Sequence, residues 1–146
     1  MVPERLIGTW KFESLVARTA TGKVRYPYGK KPFGILIYTP SGHMSMLLMN
    51  PDRKRFAADD PKGGTPEEIV EAYDKFDAYC GTYTVDKEKG IVTHHLEGAK
   101  FPNWVGTDQV RYFKIGEDRL HIKATIRLKG KDWFYEGQLL RVRPLT

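Results

Sequence analysis

The stretch LIGTWKFESLV, residues 6–16, places the indole of Trp10 two residues after Gly8 at the start of an alternating sequence. Alternation of this kind is typical of a β-strand with one face turned to a core. The predicted face consists of Trp10, Phe12, Ser14 and Val16. We expect this first strand to close one end of a barrel. Near the end of the chain, Arg141 or Arg143 is expected to lay a planar guanidinium over the indole.

The 146 residues are expected to form one domain, residues 1–146, with a sizeable core. A hydrophobic content of 40% with 29% charged residues is typical of a globular chain. One cysteine, Cys80, excludes an internal disulfide and favours a reducing compartment. Residues 1–10 lack the pattern of a secretory leader, and no apolar run has membrane-spanning length. We therefore expect a cytoplasmic protein without membrane insertion.

The net charge of +6 and the pI near 9.4 raise the question of a nucleic-acid partner. The basic residues are dispersed, however, and only residues 30–31 and 53–55 form short basic clusters. No nucleic-acid-binding motif accompanies them. We expect no nucleic-acid partner, and no part of the sequence indicates an oligomeric state.

Alternating apolar segments separated by turn residues predict a mainly β fold, an antiparallel up-and-down barrel of about eight strands. One α-helix is predicted over residues 65–78, since Thr65 provides an N-cap, Pro66 the first helical position and Glu68 a capping box. Its apolar face is expected to dock on the barrel. The irregular residues 50–64 are expected to form a mouth or lid. The predicted strands are 6–16, 34–39, 43–49, 79–85, 91–97, 108–115, 119–126 and 132–143, with a short extended piece at 24–28.

Several strings occur in a characteristic order along nearly the whole chain: LIGTWKFESL, GILIYTPSGHMS, GGTPEEI, VTHH, FPNWVGT and QVRYF. In this combination the chain resembles the lipocalin-like domain family, a group of small calycin-type barrels. Within that group the tryptophan of a G-x-W motif, here Gly8 and Trp10, lies at the closed end of the barrel under a C-terminal arginine. The resemblance implies a barrel cavity that receives small apolar molecules. Related barrels include both carriers and cyclase-type enzymes.

Inward-facing side chains of such a barrel line its interior. His94 is expected to point inward and His95 outward, so the pair cannot chelate one metal and no metal site is predicted. Either face of the last strand is a candidate for the cavity wall: one carries Trp133 and Tyr135, and the other Phe134. The candidate ligand-binding residues are Phe12, Tyr38, Met44, Met46, Tyr79, Tyr83, His94, Asn103, Trp104, Arg111, Trp133 and Tyr135.

The predicted function is binding of a small, largely apolar molecule without a cofactor. The alternative is a cofactor-independent isomerase or cyclase in the same cavity. For that activity, His94 with a pKa near neutrality would move a proton while Tyr79 or Tyr83 stabilises an enolate oxygen. A third possibility is an interaction module whose interior is filled with side chains and takes no ligand.

Overall fold

The computed structural model describes residues 4–145 and folds most of them into one antiparallel sheet. Residues 1–3 and 146, which the predicted domain includes, lie outside the described residues. Within residues 4–145 the elements are β1 (Gly8–Arg18), β2 (Val24–Arg25), β3 (Phe33–Tyr38), β4 (His43–Met49), α1 (Pro66–Asp74), β5 (Phe76–Asp86), β6 (Ile91–Ala99), β7 (Asp108–Ile115), β8 (Arg119–Leu128) and β9 (Lys131–Arg141). A short 3-10 helix, Pro102–Trp104, lies between β6 and β7.

The sheet closes on itself. β1 pairs with β3, each strand from β3 to β8 pairs with the next one along the chain, and β9 returns to pair with β1. The two residues of β2 add a short extra strand beside β1. The predicted mainly β, eight-stranded antiparallel barrel with one helix is therefore confirmed. No helix in the described part of the chain is long and apolar enough to cross a membrane.

The inward face of β1 changes half-way along the strand. Pairing with β9 shifts register between Phe12 and Ser14, which marks a β-bulge. Beyond this point Leu15 and Ala17 are buried, whereas Ser14 and Val16 are only partly covered. The prediction of one continuous inward face through residues 14 and 16 was therefore wrong, because the bulge adds one residue and reverses the alternation.

Trp10 is fully buried at the end of the barrel where β1 begins. Its Nε1 donates to the Leu6 carbonyl oxygen at 2.9 Å. The Arg141 guanidinium lies 4.2 Å from the centroid of the Trp10 ring. Arg141 Nη1 donates to the Ile7 carbonyl oxygen at 2.9 Å. Gly8 has a φ of +136°, and a Cβ there would lie 3.0 Å from Arg141 Nη1. Arg141 is thus the arginine that covers the indole, since Arg143 is exposed.

The two ends of the barrel differ in their connections. The turns between β3 and β4, β5 and β6, and β7 and β8 lie at the Trp10 end, which we call the closed end. The opposite end, called the open end, carries the loop 50–64 with α1, the 3-10 helix and the turn between β8 and β9. The longer connections therefore surround the open end.

Helix α1 begins as predicted and ends earlier. Thr65 Oγ1 accepts from the Glu68 amide at 3.2 Å, and Glu68 Oε1 accepts from the Thr65 amide at 2.9 Å. This capping box fixes the start of the helix. The predicted end at residue 78 was wrong, because residues 76–78 already pair with β4 as the beginning of β5.

The apolar face of α1 is only about half covered by the described residues. Ile69, Val70 and Tyr73 are 50%, 58% and 44% exposed, so the predicted docking of this face on the barrel is partial, with Tyr73 beneath Lys100 at the cavity mouth. The helix is also held by polar contacts with the preceding loop, where Arg53 Nη1 donates to the Ala72 carbonyl oxygen at 3.0 Å.

Candidate functional site: the barrel cavity

A cavity of about 380 Å³ occupies the half of the barrel toward the open end. Its lower limit follows from the register of β3 and β4. The opposed pair Leu36 and Met46 lines the cavity, whereas the next pair toward the closed end, Tyr38 and Met44, does not. The apolar part of the wall consists of Phe12, Leu15, Leu36, Met46, Leu48, Ile122, Ala124, Ile126 and Leu128.

Below the cavity, large side chains fill the barrel. We call this set the closed-end core. Tyr38 and Tyr83 pack edge to face, with ring centroids 4.7 Å apart. All members are buried and none lines the cavity: Trp10, Tyr38, Met44, Tyr83, Val92, Leu120 and Leu139. The barrel is therefore packed at one end and hollow at the other.

Aromatic and basic side chains surround the mouth of the cavity. Trp104 lies edge to face with Tyr79, with ring centroids 6.1 Å apart, and with Phe101 at 5.9 Å. Lys100 Nζ donates to the Tyr73 carbonyl oxygen at 2.6 Å and to that of Phe76. Lys100 thereby joins the end of α1 to the rim of the barrel.

A chain of three buried side chains crosses the barrel at the bottom of the cavity. Tyr38 Oη lies 2.6 Å from His94 Nε2, and Tyr79 Oη lies 3.1 Å from His94 Nδ1. His94 and Tyr79 line the cavity, and Tyr38 lies behind them in the closed-end core. A neutral imidazole donates from one nitrogen and accepts at the other, so the two tyrosines have different roles.

The surroundings of Tyr38 decide which nitrogen carries the proton. Tyr38 is 1% exposed, and among the described residues its hydroxyl has His94 Nε2 as its hydrogen-bond partner. If Tyr38 accepted from Nε2, its own hydroxyl proton would be buried without an acceptor, at a cost of about 1–3 kcal/mol. Tyr38 therefore donates to Nε2. His94 Nδ1 then carries the proton and donates to Tyr79 Oη. This arrangement leaves the hydroxyl proton of Tyr79 available to the cavity.

His94 does not have the acid–base property that the isomerase hypothesis requires. Burial, followed by the charges of Arg111 and His95, lowers the pKa of His94 to about 3. The imidazole is neutral near pH 7, and both of its nitrogens are occupied by tyrosine hydroxyls. Neither imidazole nitrogen is therefore free to contact a substrate directly.

Arg111 brings a positive charge to the same wall. It is 6% exposed and lines the cavity from β7. Its Nη1 donates to the Val110 carbonyl oxygen at 3.1 Å, and no carboxylate of residues 4–145 lies within 4.0 Å of its guanidinium. Burial raises the pKa of Tyr79, and the Arg111 charge opposes that rise. Arg111 also lies within hydrogen-bonding reach of Tyr79, so the two polar groups occupy the same region of the cavity wall.

A second polar group lies on the wall nearer the open end. Burial raises the pKa of Asp77, and the charges of Lys100 and Arg111 oppose this rise. Burial also raises the pKa values of Tyr28 and Tyr135, with Asp77 adding to both increases. Sequence reasoning missed Asp77, Tyr28 and Lys100. Had the helix been ended at Asp74, Asp77 would have fallen on the same face of β5 as Tyr79.

The structure places some of the predicted ligand-binding residues on the cavity and others elsewhere. Those on the wall are Phe12, Met46, Tyr79, His94, Trp104, Arg111 and Tyr135. Of the others, Tyr38 and Met44 belong to the closed-end core. Tyr83 donates to the Thr39 carbonyl oxygen at 2.7 Å, Asn103 is exposed, and Trp133 lies 5.0 Å from the Arg25 guanidinium. Ligand contact by the residues on the wall stays a prediction.

Adjacent His94 and His95 face opposite sides of β6, as alternation predicts. His95 Nδ1 lies 2.7 Å from Asp108 Oδ1, and its Nε2 lies 2.9 Å from Thr84 Oγ1, on the outside of the barrel. Across residues 4–145, no three His, Cys, Asp or Glu side chains are grouped closely enough to hold a metal ion.

The closed barrel, its tryptophan and its cavity agree with the comparison of the sequence with known families. Residues 7–140 match the family described as lipocalin-like domain. The chain belongs to the lipocalin-like domain family. An internal cavity in a barrel of this kind is suited to binding small molecules.

Known proteins similar to this lipocalin-like domain include a fungal carrier. The chain is 32% identical over 87 residues to the 4'-hydroxy-3'-methoxypropiophenone carrier protein ppsC of Aspergillus oryzae, a match covering 56% of this chain and 78% of that protein. A solved structure of bovine odorant binding protein in complex with a selenium-containing odorant matches with a TM-score of 0.47 at 12% identity. That match covers 96% of this chain and 72% of the bovine chain.

Proposed function

We propose that this lipocalin-like domain binds a small, largely apolar molecule in the barrel cavity and acts as its carrier. The supporting observation is the cavity of about 380 Å³ with a mostly aliphatic and aromatic wall. Ligand sites of small molecules have about 300–1,000 Å³ and combine an apolar wall with a few polar groups. Tyr79, His94 and Arg111 are the buried polar groups of this wall.

The fungal relative supports an aromatic ligand. Its name describes a carrier of a phenyl ketone that bears a hydroxyl and a methoxy group. Such a ligand combines a flat apolar ring with oxygen atoms, and the cavity combines aromatic side chains, such as Trp104 and Phe12, with hydrogen-bond donors. We therefore propose oxygen-substituted aromatic molecules as the ligand class. The cytoplasmic location stays a prediction.

Fluorescence titration with 1-aminoanthracene tests the proposal. We expect saturable one-to-one binding, with the probe displaced by 4'-hydroxy-3'-methoxypropiophenone. Ala124→Leu extends a side chain into the cavity and should abolish binding. Thr125→Leu adds a leucine at the neighbouring, outward-facing position and should leave binding unchanged. Equal binding by both variants, or no saturable binding by the unmodified protein, would contradict a carrier role.

The isomerase or cyclase alternative has weaker support, since the pKa of His94 lies far below neutrality. A filled interior, the third possibility, does not agree with the observed cavity. Turnover of an added aromatic ketone, measured by chromatography of the recovered ligand, distinguishes carrier from enzyme. We expect the ligand to be recovered unchanged.

A further inference from the structure

Arg111 is a buried cation that forms no ion pair within 4.0 Å among residues 4–145. Removing a charged group from water is costly unless an opposite charge or several hydrogen bonds replace the solvent. Within residues 4–145, the guanidinium donates to the Val110 carbonyl oxygen at 3.1 Å and lies within hydrogen-bonding reach of Tyr79, but it has no carboxylate within 4.0 Å. A guanidinium has five N–H donors, so donors remain for a group inside the cavity.

The cavity wall carries more positive than negative groups. The cavity is lined by one carboxylate, Asp77, and by the cations Lys100 and Arg111, with Lys129 and an Arg127 that is paired with Asp132 exposed at its rim. The charges of Asp77 and Lys100 act on each other, and Arg111 acts on Asp77 more weakly, so Lys100 balances the larger part of the carboxylate charge. An excess of positive charge in a low-dielectric cleft attracts anions and strengthens their binding.

Tyr79 provides a second donor at the same place. The hydrogen bonds from Tyr38 to His94 and from His94 to Tyr79 leave the hydroxyl proton of Tyr79 without an internal acceptor among the described residues. A guanidinium and a phenol hydroxyl together match the acceptor positions of one ionised oxygen group.

Deepening the proposed function, on which this inference rests, we propose that the bound molecule carries an ionised oxygen group, a carboxylate or an acidic phenol, held by Arg111 and Tyr79. Its apolar body occupies the remainder of the cavity toward Trp104. His94 and Tyr38 are positioning residues, because they orient Tyr79 and do not contact the ligand oxygen.

Isothermal titration calorimetry with two probes of equal shape tests the inference. Naphthalene-2-carboxylate carries the charge, and naphthalene-2-carboxamide lacks it. Because charge-assisted hydrogen bonds contribute about 1.5–3 kcal/mol, we expect the carboxylate to bind about 10- to 100-fold more tightly. Equal affinities would rule out a carboxylate at this site and leave the carrier function intact, whereas no binding of either probe would contradict both.

Variants identify the residue responsible. Arg111→Met should remove the preference for the carboxylate and retain binding of the carboxamide. Lys114→Met removes a positive charge from the outer face of the same strand and should retain the preference. Tyr79→Phe keeps the ring and should reduce the preference only in part. A full preference in folded Arg111→Met would overturn the assignment, and the two-probe comparison in the unmodified protein stays decisive if that variant does not fold.

A second probe pair separates the two sources of the oxygen. 4'-Hydroxyacetophenone, measured at a pH above the pKa of its phenol, is compared with its methyl ether, 4'-methoxyacetophenone. Tighter binding of the phenolate supports an acidic phenol as the natural group. Preference for the carboxylate probe alone assigns the site to carboxylic acids. A lack of preference in both pairs would overturn the inference.

Discussion

The two halves of the barrel are built from the same eight strands and have opposite interiors. The closed-end core brings the rings of Trp10, Tyr38 and Tyr83 into the axis of the barrel. In the open half, β8 and β9 turn the small residues Ala124 and Gly137 inward, and a cavity remains. Side-chain size, with the strand geometry unchanged, therefore decides where the barrel is solid and where it is hollow.

The two halves also differ in how fully their buried polar groups are hydrogen-bonded. In the closed half, the Tyr83 hydroxyl is paired with the Thr39 carbonyl oxygen, and the Trp10 indole with that of Leu6. On the cavity wall, Arg111 and Tyr79 retain donors that the described residues do not use. Stability is thus concentrated near the closed end, and the capacity for recognition near the open end.

The largest expected effect comes from a matched pair of tryptophan truncations. Trp10→Ala should lower the free energy of unfolding by about 3–5 kcal/mol, because it empties a fully buried site and removes the stack with Arg141. Trp104→Ala at the half-buried rim should cost clearly less. Urea denaturation followed by circular dichroism measures both, and similar losses would contradict the division into two halves.

The second-largest expected effect is a dependence of the free energy of unfolding on pH. It is caused by His94, which lies at the boundary between the two halves. The pKa of His94 is about 3 in the folded barrel, against an ordinary value of 6.5. Between these values the unfolded chain binds a proton that the folded protein excludes. Stability therefore falls as the pH decreases from about 6.5 toward about 3, by an order of 1 kcal/mol per pH unit.

Chemical denaturation at a series of pH values tests this dependence. The raised pKa of Asp77 gives a slope of opposite sign at the acidic end, so the slope is compared between the unmodified protein and His94→Gln. His95→Gln, with its side chain on the outside, serves as the control and should retain the slope. An unchanged slope in His94→Gln would contradict the buried, neutral imidazole.

A smaller effect is expected from the arginines at the closed end. Arg141→Met removes the contact with the Trp10 ring and the hydrogen bond to the Ile7 carbonyl oxygen, and should cost about 1–2 kcal/mol. Arg143→Met, at an exposed position, should stay within about 0.5 kcal/mol of the unmodified protein. Thermal unfolding separates the two, and equal melting temperatures would be inconsistent with the stack.

The smallest expected effect concerns added carbon atoms. Val92→Ile adds one methylene to the closed-end core and should destabilise the barrel by about 1 kcal/mol through overpacking. Ala124→Leu adds more atoms, but to a wall with free space, and should change stability by less than about 1 kcal/mol. A larger loss from Ala124→Leu, measured in the same urea series, would indicate that the open half is already filled.

Much of the fold could be predicted because strand alternation and helix capping are local patterns. Thr65, Pro66 and Glu68 fix the start of α1 within four residues of chain. The bulge after Phe12 could not be predicted, since it depends on the register with β9 and leaves no local mark. The end of α1 was extended too far because Phe76 continues the helical spacing, whereas pairing with β4 places it in a strand.

The candidate site was less accessible to sequence reasoning. Tyr38 and His94 are separated by 56 positions and lie on strands that are not neighbours in the sheet, so their contact crosses the interior. Only the closed barrel brings them together. The sequence also identified Arg111 as a candidate, but the lack of a neighbouring carboxylate is a property of the three-dimensional arrangement. Tyr83, also a candidate, does not line the cavity. It belongs to the closed-end core, where its hydroxyl donates to the Thr39 carbonyl oxygen.

The pairing of β1 with β9 brings residue 10 opposite residue 141. During synthesis, β1 leaves the ribosome long before β9 has been made. Until then, the edge of β1 that pairs with β9 has no hydrogen-bond partners. Contacts this distant along the chain slow folding, because a large loop must close before they form. The closed barrel and its ligand cavity therefore form only after β9 has been synthesised.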